Sequence, residues 1–220
     1  TYLSKDMEEG YPGNLEVKIT YTLNSLDELI VDYEAKTDKK TVINLTQHSY
    51  FNLTGDFNKN ILDHEVLINS NSFLPVDSLL IPTGQIKNVN GTPFDFRKSK
   101  KIGEDINTEN RQLKYGGGYD HCWVINRENK KINFVASVYE SNSGRLLEIF
   151  SSEPGVQFYT GNFLDGTLPS KNGNVYNKRT GFCLETQHFP NSPNEKNFPS
   201  TTLSPEDTYK SKTIYKFSNR

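Results

Sequence analysis

Three short segments set ionisable or polar side chains into otherwise apolar or aromatic surroundings. NLTQHSYFNLTG (44–55) carries His48 between Gln47 and Ser49 and follows it at once with Tyr50, Phe51 and Leu53. YGGGYDHCW (115–123) sets Asp120 and His121 between a glycine turn and Cys122-Trp123. GFCLETQHF (181–189) is a strand-like run interrupted by Glu185. An imidazole and a carboxylate are the usual partners in general acid–base chemistry, and a polar patch with aromatic edges suits a sugar ring.

Each of these residues also has a plainer reading. If 181–187 is extended, Cys183, Glu185 and Gln187 share one face and Phe182, Leu184 and Thr186 the other. Glu185 is then either an ordinary solvent-facing carboxylate or a site carboxylate; Gln187 on its face and Phe189 just beyond favour the site. His48 is either a hydrogen-bonded structural residue or a proton carrier, with Tyr50 on its face if the run is extended. Asp120 and His121 are neighbours, so in a strand only one of them lines a given site. His64 and His188 have no distinctive setting. Asp120 and Glu185 together would also fit a glycosidase pair.

Other chemistries lack their patterns. Neither CxxC nor HxxxH nor HExxH occurs, so no metal site is expected. GGGY has no Lys-Ser/Thr ending for a phosphate loop, and no G-x-S-x-G elbow is present. Cys122 beside His121 is not a nucleophile arrangement, because strand neighbours diverge.

The elements that must position these groups are strands. In EVKITYTL (16–23), Val17, Ile19, Tyr21 and Leu23 fall on one face, and LIVDYEA (29–35) repeats the pattern after SLDE, a hairpin turn. Further strands are expected at 42–46, 65–69, 133–139, 146–151, 156–160, 181–187 and 212–217. PGN (12–14), TGD (54–56), NGTP (90–93), GGG (116–118), SNSG (141–144) and KNGN (171–174) supply turns. No sustained helical stripe exists. DFRKSKKIGEDI (95–106) has room for one helical turn but reads as a solvated surface connection, and 70–100, 104–120 and 165–180 read as long loops of the kind that carry binding groups. The fold class is all-β, one domain of packed sheets.

Composition agrees with that class. A chain of 220 residues can bury a full core without staples, and 13 Phe with 12 Tyr suit broad aromatic grooves. The net charge of −2 provides no basic field for nucleic acid. The two cysteines, Cys122 and Cys183, read as free, partly buried thiols. No apolar run approaches the length of a membrane helix, about 20 residues, and TYLSKDMEEG is not a signal peptide.

Taken together, EGYPGNLEV (9–17), NLTQHSYFNLTG (44–55), FLPVDSLLIPTG (73–84), TPFDFR (92–97), GGYDHCWVI (117–125), PGVQFYTGNFL (154–164) and GFCLETQHFPNSPN (181–194) resemble the aldose 1-epimerase (galactose mutarotase) family over essentially the whole chain. The resemblance implies a large twisted antiparallel β-sandwich with a sugar site in an open groove across one sheet. By position it implies His48 as general acid, Glu185 as general base, Asp120 as a sugar-hydroxyl anchor, Gln157 as a second groove contact and Tyr50 as the aromatic beside the acid. The implied activity is interconversion of the α and β anomers of free hexoses such as galactose or glucose, with no metal and no cofactor. The acid and base would flank the sugar on opposite sides and work as imidazolium with carboxylate, a state that a carboxylate-lined groove favours.

Family members carry an additional N-terminal block of strands before the GYPG segment. The chain is therefore expected to be a single β-sandwich domain over 1–220, corresponding to the C-terminal two-thirds of such an enzyme, with strand edges or core exposed where the block would pack. A hexose-6-phosphate 1-epimerase, with Arg97, Arg111 and Arg179 as phosphate candidates, and a non-catalytic carbohydrate-binding relative are the alternatives. The expected partner is a small-molecule hexose, with no nucleic acid and no membrane. The expected state is a monomer or homodimer, and the expected location cytoplasmic.

Overall fold

Alternating apolar and polar residues build two main antiparallel sheets in the computed structural model, which describes residues 1–128, 131–170 and 173–220. The larger sheet runs in the order β1 (Tyr2–Ser4), β2 (Leu15–Leu23), β3 (Glu28–Thr37), β15 (Tyr209–Asn219), β11 (Arg145–Ser151), β10 (Asn133–Tyr139), β5 (Glu65–Ile68) and β8 (Lys100–Lys101). The smaller runs β13 (Cys183–Gln187), β12 (Gly155–Tyr159), β9 (Asp120–Ile125), β6 (Ser70–Leu74) and β7 (Lys87–Asn88). A third pair, β4 (Thr41–Val42) with β14 (Thr202–Leu203), stands apart from both.

One contiguous core lies between the two sheets. The large sheet contributes Val31, Ile68, Val138, Leu147, Ile149 and Tyr215; the small sheet contributes Phe73, Trp123, Ile125, Val156, Phe158 and Leu184. Each fully buried side chain of this size stabilises the fold by about 1.5–3 kcal/mol relative to exposure. Some polar groups inside are paired, whereas Tyr33 Oη, His64 Nδ1 and His121 Nε2 are buried without a hydrogen-bond partner among the described residues. Thr186 Oγ1 bonds Thr213 Oγ1 across the sheets at 2.5 Å, and the Trp123 indole donates to the Phe94 carbonyl at 3.0 Å.

Several sequence expectations need revision. The 42–46 run forms a ladder only over Thr41–Val42, because the side chains beyond it take over the pairing, as described below. β6 and β9 are strands that alternation did not reveal: β9 is buried on both faces at most positions, so its sequence does not alternate. The 95–106 segment is no mere surface connection. Phe96 and Ile102 are fully buried, Lys100 sits over the Phe96 ring at 4.4 Å, and α1 (Ile102–Asp105) occupies its end. A further helix, α2 (Arg111–Gly116), lies in the expected loop 104–120 and is too short to show a helical stripe. Both cysteines are free and fully buried rather than partly so. Within the expected turn KNGN (171–174), Lys171 and Asn172 lie outside the described residues.

The most telling departure is in β2. Its register is the expected one, with Ile19 opposite Tyr33 and Tyr21 opposite Val31. Yet Tyr21 is 55% and Leu23 75% exposed, so this apolar face has no cover over much of its length. Among the described residues, no helix is long and apolar enough to cross a membrane.

Candidate functional site

The small sheet has a core face and an open face, and strand alternation decides which side chain goes where. On β13, Leu184 and Thr186 point into the sandwich while Cys183, Glu185 and Gln187 take the other side. The register aligns Gln157 with Glu185 and with Cys122, and Tyr159 with Cys183 and with Asp120. Asp120, Gln157, Tyr159 and Glu185 therefore share the open face. His121 goes the opposite way: it is fully buried, 4.7 Å from the Phe94 ring, and lack of water lowers its basicity to about 3. Asp120, not His121, is the groove residue of that pair.

The turn before Asp120 explains GGG. Gly117 closes α2 in the left-handed region at φ 63°. Gly118 has φ 145°, and a Cβ there would run into the Asn162 side chain. Asn162 in turn donates to the Tyr119 carbonyl at 2.8 Å. Only a residue without a side chain lets β9 start this close to Asn162.

β13 is an edge strand, and the His48 segment covers its free edge. Asn44 brackets the His188 backbone, donating to its carbonyl at 3.0 Å and accepting from its N–H at 2.9 Å. Thr46 Oγ1 donates to the Thr186 carbonyl at 3.0 Å. Phe51 and Phe182 exchange backbone bonds at 2.8 and 2.9 Å. Side chains and one bridge thus substitute for a ladder, leaving the backbone between Thr46 and Phe51 free to lift His48 over Glu185. His64 and His188 do have settings: His64 Nε2 accepts from Leu53 N–H at 3.0 Å, and His188 Nδ1 meets the buried Glu153 at 2.6 Å. Both pin the ends of this covering segment.

The result brings His48 Nε2 within 3.5 Å of Glu185 Oε1. The imidazole is half exposed, whereas the Glu185 side chain keeps only 9% of its surface. His48 stacks on Tyr50 at 5.3 Å, and Tyr159 meets both rings edge-on at 6.4 and 6.1 Å. Gln157 Nε2 donates to Asp120 Oδ1 at 2.7 Å, fixing that carboxylate beside them. Burial pushes the Glu185 carboxyl up to about 7; the charge of His48 opposes this and that of Asp120 adds to it. Burial likewise raises Asp120, against the Gln157 hydrogen bond and His48.

All five sequence-derived residues, His48, Tyr50, Asp120, Gln157 and Glu185, meet in this groove. His48 and Glu185, the expected acid and base, are adjacent, however, and not held a ring's width apart. Tyr159 was missed, although it lies two residues beyond Gln157 and so on the same face. Among the described residues the three candidate phosphate arginines share no partner: Arg97 binds Asp95 and Asn90, Arg111 the Tyr115 hydroxyl, and Arg179 Asn107 and the Gly117 carbonyl.

A family model described as aldose 1-epimerase matches residues 1–216. Galactose mutarotase of Sus scrofa is 50% identical over 216 residues, covering 98% of this chain and 61% of that protein. Aldose 1-epimerase of Escherichia coli K12 is 35% identical over 97% of this chain and 62% of its own length. Among solved structures, galactose 1-epimerase from Lactobacillus acidophilus superposes with a TM-score of 0.85 at 29% identity, covering 99% of this chain and 61% of that one. An aldose epimerase homologue from C. elegans gives 0.83 at 28% identity, over 99% of this chain and 64% of that one. The chain thus spans about three fifths of the length of the curated relatives it matches.

Proposed function

The chain belongs to the aldose 1-epimerase family, and we propose that it interconverts the α and β anomers of a free hexose such as galactose or glucose. The observation that carries this reading is the approach of His48 Nε2 to Glu185 Oε1 at 3.5 Å in a groove walled by Tyr50 and Tyr159. The relatives that bear the names galactose mutarotase and aldose 1-epimerase point to the same substrate class.

Ionised Glu185 takes the proton from the C1 hydroxyl while the His48 imidazolium gives one to the ring oxygen. The C1–O5 bond breaks, leaving an open-chain aldehyde, protonated Glu185 and neutral His48. Rotation about C1–C2 presents the other carbonyl face. Ring closure reverses both transfers: His48 recovers its proton from the attacking hydroxyl and Glu185 returns its own to the carbonyl oxygen, so neither group is consumed. The C1 hydroxyl and the ring oxygen are bonded to the same carbon, so an adjacent acid and base can address both along one edge of the sugar. Sugar entry exchanges the His48–Glu185 contact for one contact from each group to the atoms on C1. Asp120, held by Gln157, accepts a hydrogen bond from a sugar hydroxyl, and Tyr50 and Tyr159 cover apolar C–H surface.

Polarimetry on freshly dissolved α-D-galactose tests the proposal. The chain should speed the approach to anomeric equilibrium, and Glu185→Gln and His48→Asn should each reduce the effect by about 10²–10⁴-fold. Undiminished rates in both variants would refute the assignment. Sugar-dependent thermal stabilisation without any anomer exchange would make the groove a binding site alone.

A further inference from the structure

We propose that the groove also takes up a thiophilic divalent cation, Zn²⁺, on His48, Cys183 and Glu185, and that the bound ion blocks the anomer exchange. The blocking part rests on the function proposed above; the metal site itself does not.

Each of these residues offers one ligand atom, and the three atoms lie within 4.8 Å of one another. Zinc bonds of about 2.0–2.3 Å in a tetrahedral arrangement require ligand atoms roughly 3.5 Å apart. Small movements close the difference, and the residue free to make them is evident. Cys183 and Glu185 are two apart on one face of β13 and are fixed by the ladder to β12. His48 is half exposed, and among the described residues its only polar partner is Glu185. The half-exposed imidazole is thus the ligand whose adjustment binding requires.

The donor set selects the ion. One nitrogen, one sulfur and one carboxylate oxygen suit Zn²⁺ and disfavour Mg²⁺ and Ca²⁺, which seek oxygen alone. Asp120 lies near enough for its charge to reach both Cys183 and Glu185, adding a field that attracts cations. Three protein ligands leave a fourth position open to the groove. Binding displaces the thiol proton of Cys183 to solvent. It also occupies the nitrogen and the oxygen that anomer exchange needs, so ion and hexose exclude one another. Sequence spacing could not reveal such a site, since His48 comes from a different part of the chain than Cys183 and Glu185.

Cobalt(II) titration of the intact chain tests the site without reference to activity, because a thiolate ligand gives Co²⁺ a near-ultraviolet charge-transfer band. The expected result is a band saturating at one equivalent and lost on adding Zn²⁺ or EDTA. It should be absent in Cys183→Ser and weakened in His48→Asn, whose half-exposed ring lies outside the buried core. No band in the parent chain, or an unchanged band in both variants, overturns the site. Polarimetry with added Zn²⁺ then tests the blocking. Exchange should be lost in the parent chain, galactose should protect it, and Cys183→Ser should keep its own metal-free rate. Equal loss in Cys183→Ser overturns the proposal. A chain that shows the cobalt band but never exchanges anomers refutes the enzymatic reading alone.

Discussion

Glu185 is a carboxyl group with little water around it, His48 as its polar neighbour, and Asp120 adding charge of its own sign. Two predictions belong to this residue. In the proposed role of general base it works only when ionised, while His48 as acid works only when protonated, so kcat/KM for anomer exchange should be bell-shaped in the region of about 7, its acid limb reporting the Glu185 carboxyl. A profile flat across that region would remove Glu185 from the role. The second prediction concerns stability. The folded carboxyl titrates at about 7 and the free one at 4.5, so its contribution to stability is fully present below about 4.5 and is lost as pH rises through about 7. Glu185→Gln should therefore stabilise the fold by on the order of 1–3 kcal/mol above that range and by little below it. Denaturant melts at both pH values would read the difference. A site residue that weakens its own fold is a familiar cost of function.

At the scale of the element, two devices position the chemistry. One is the glycine turn into β9. Gly118→Ala combines a backbone angle of φ 145° with a collision against Asn162, and should cost about 1–3 kcal/mol in a denaturation experiment. If it proves neutral, the turn has room that the packing denies. The other device is the cover over the free edge of β13. Asn44, Thr46 and Phe51 fasten to that edge at separate points and leave His48 between them. This explains why NLTQHSYFNLTG is both polar and aromatic: the polar residues tie down the segment while the aromatic ones wall the groove. It also explains why strand propensity misread 42–46, since hydrogen bonds made by side chains leave no periodic trace.

For the whole molecule, the core face of the large sheet changes from its centre to its edge. Around β3 and β15 its core side is closed by the small sheet, with Val31 and Tyr215 fully buried. Toward β2 the same side runs out from under that cover, leaving Tyr21 and Leu23 exposed. Leu23→Lys should accordingly change stability by less than about 0.5 kcal/mol, whereas truncation of fully buried Phe158 to Ala should cost about 3–5 kcal/mol. Urea titrations of the two variants would check the contrast. A large loss from Leu23→Lys would mean that this face packs against something in solution.

Read alone, the sequence determined the all-β class, most strand positions and the face on which Glu185 lies, because a period of two is a local property of the extended backbone. It also supplied the family resemblance and the five groove residues. It could not show that His48 and Glu185 sit side by side, that Tyr159 and Cys183 join them, or that Phe96 and Ile102 plug the core. Those depend on which strands become neighbours and at what register. Contacts between distant segments are set by tertiary packing, which adjusts both partners at once and imprints no spacing on either.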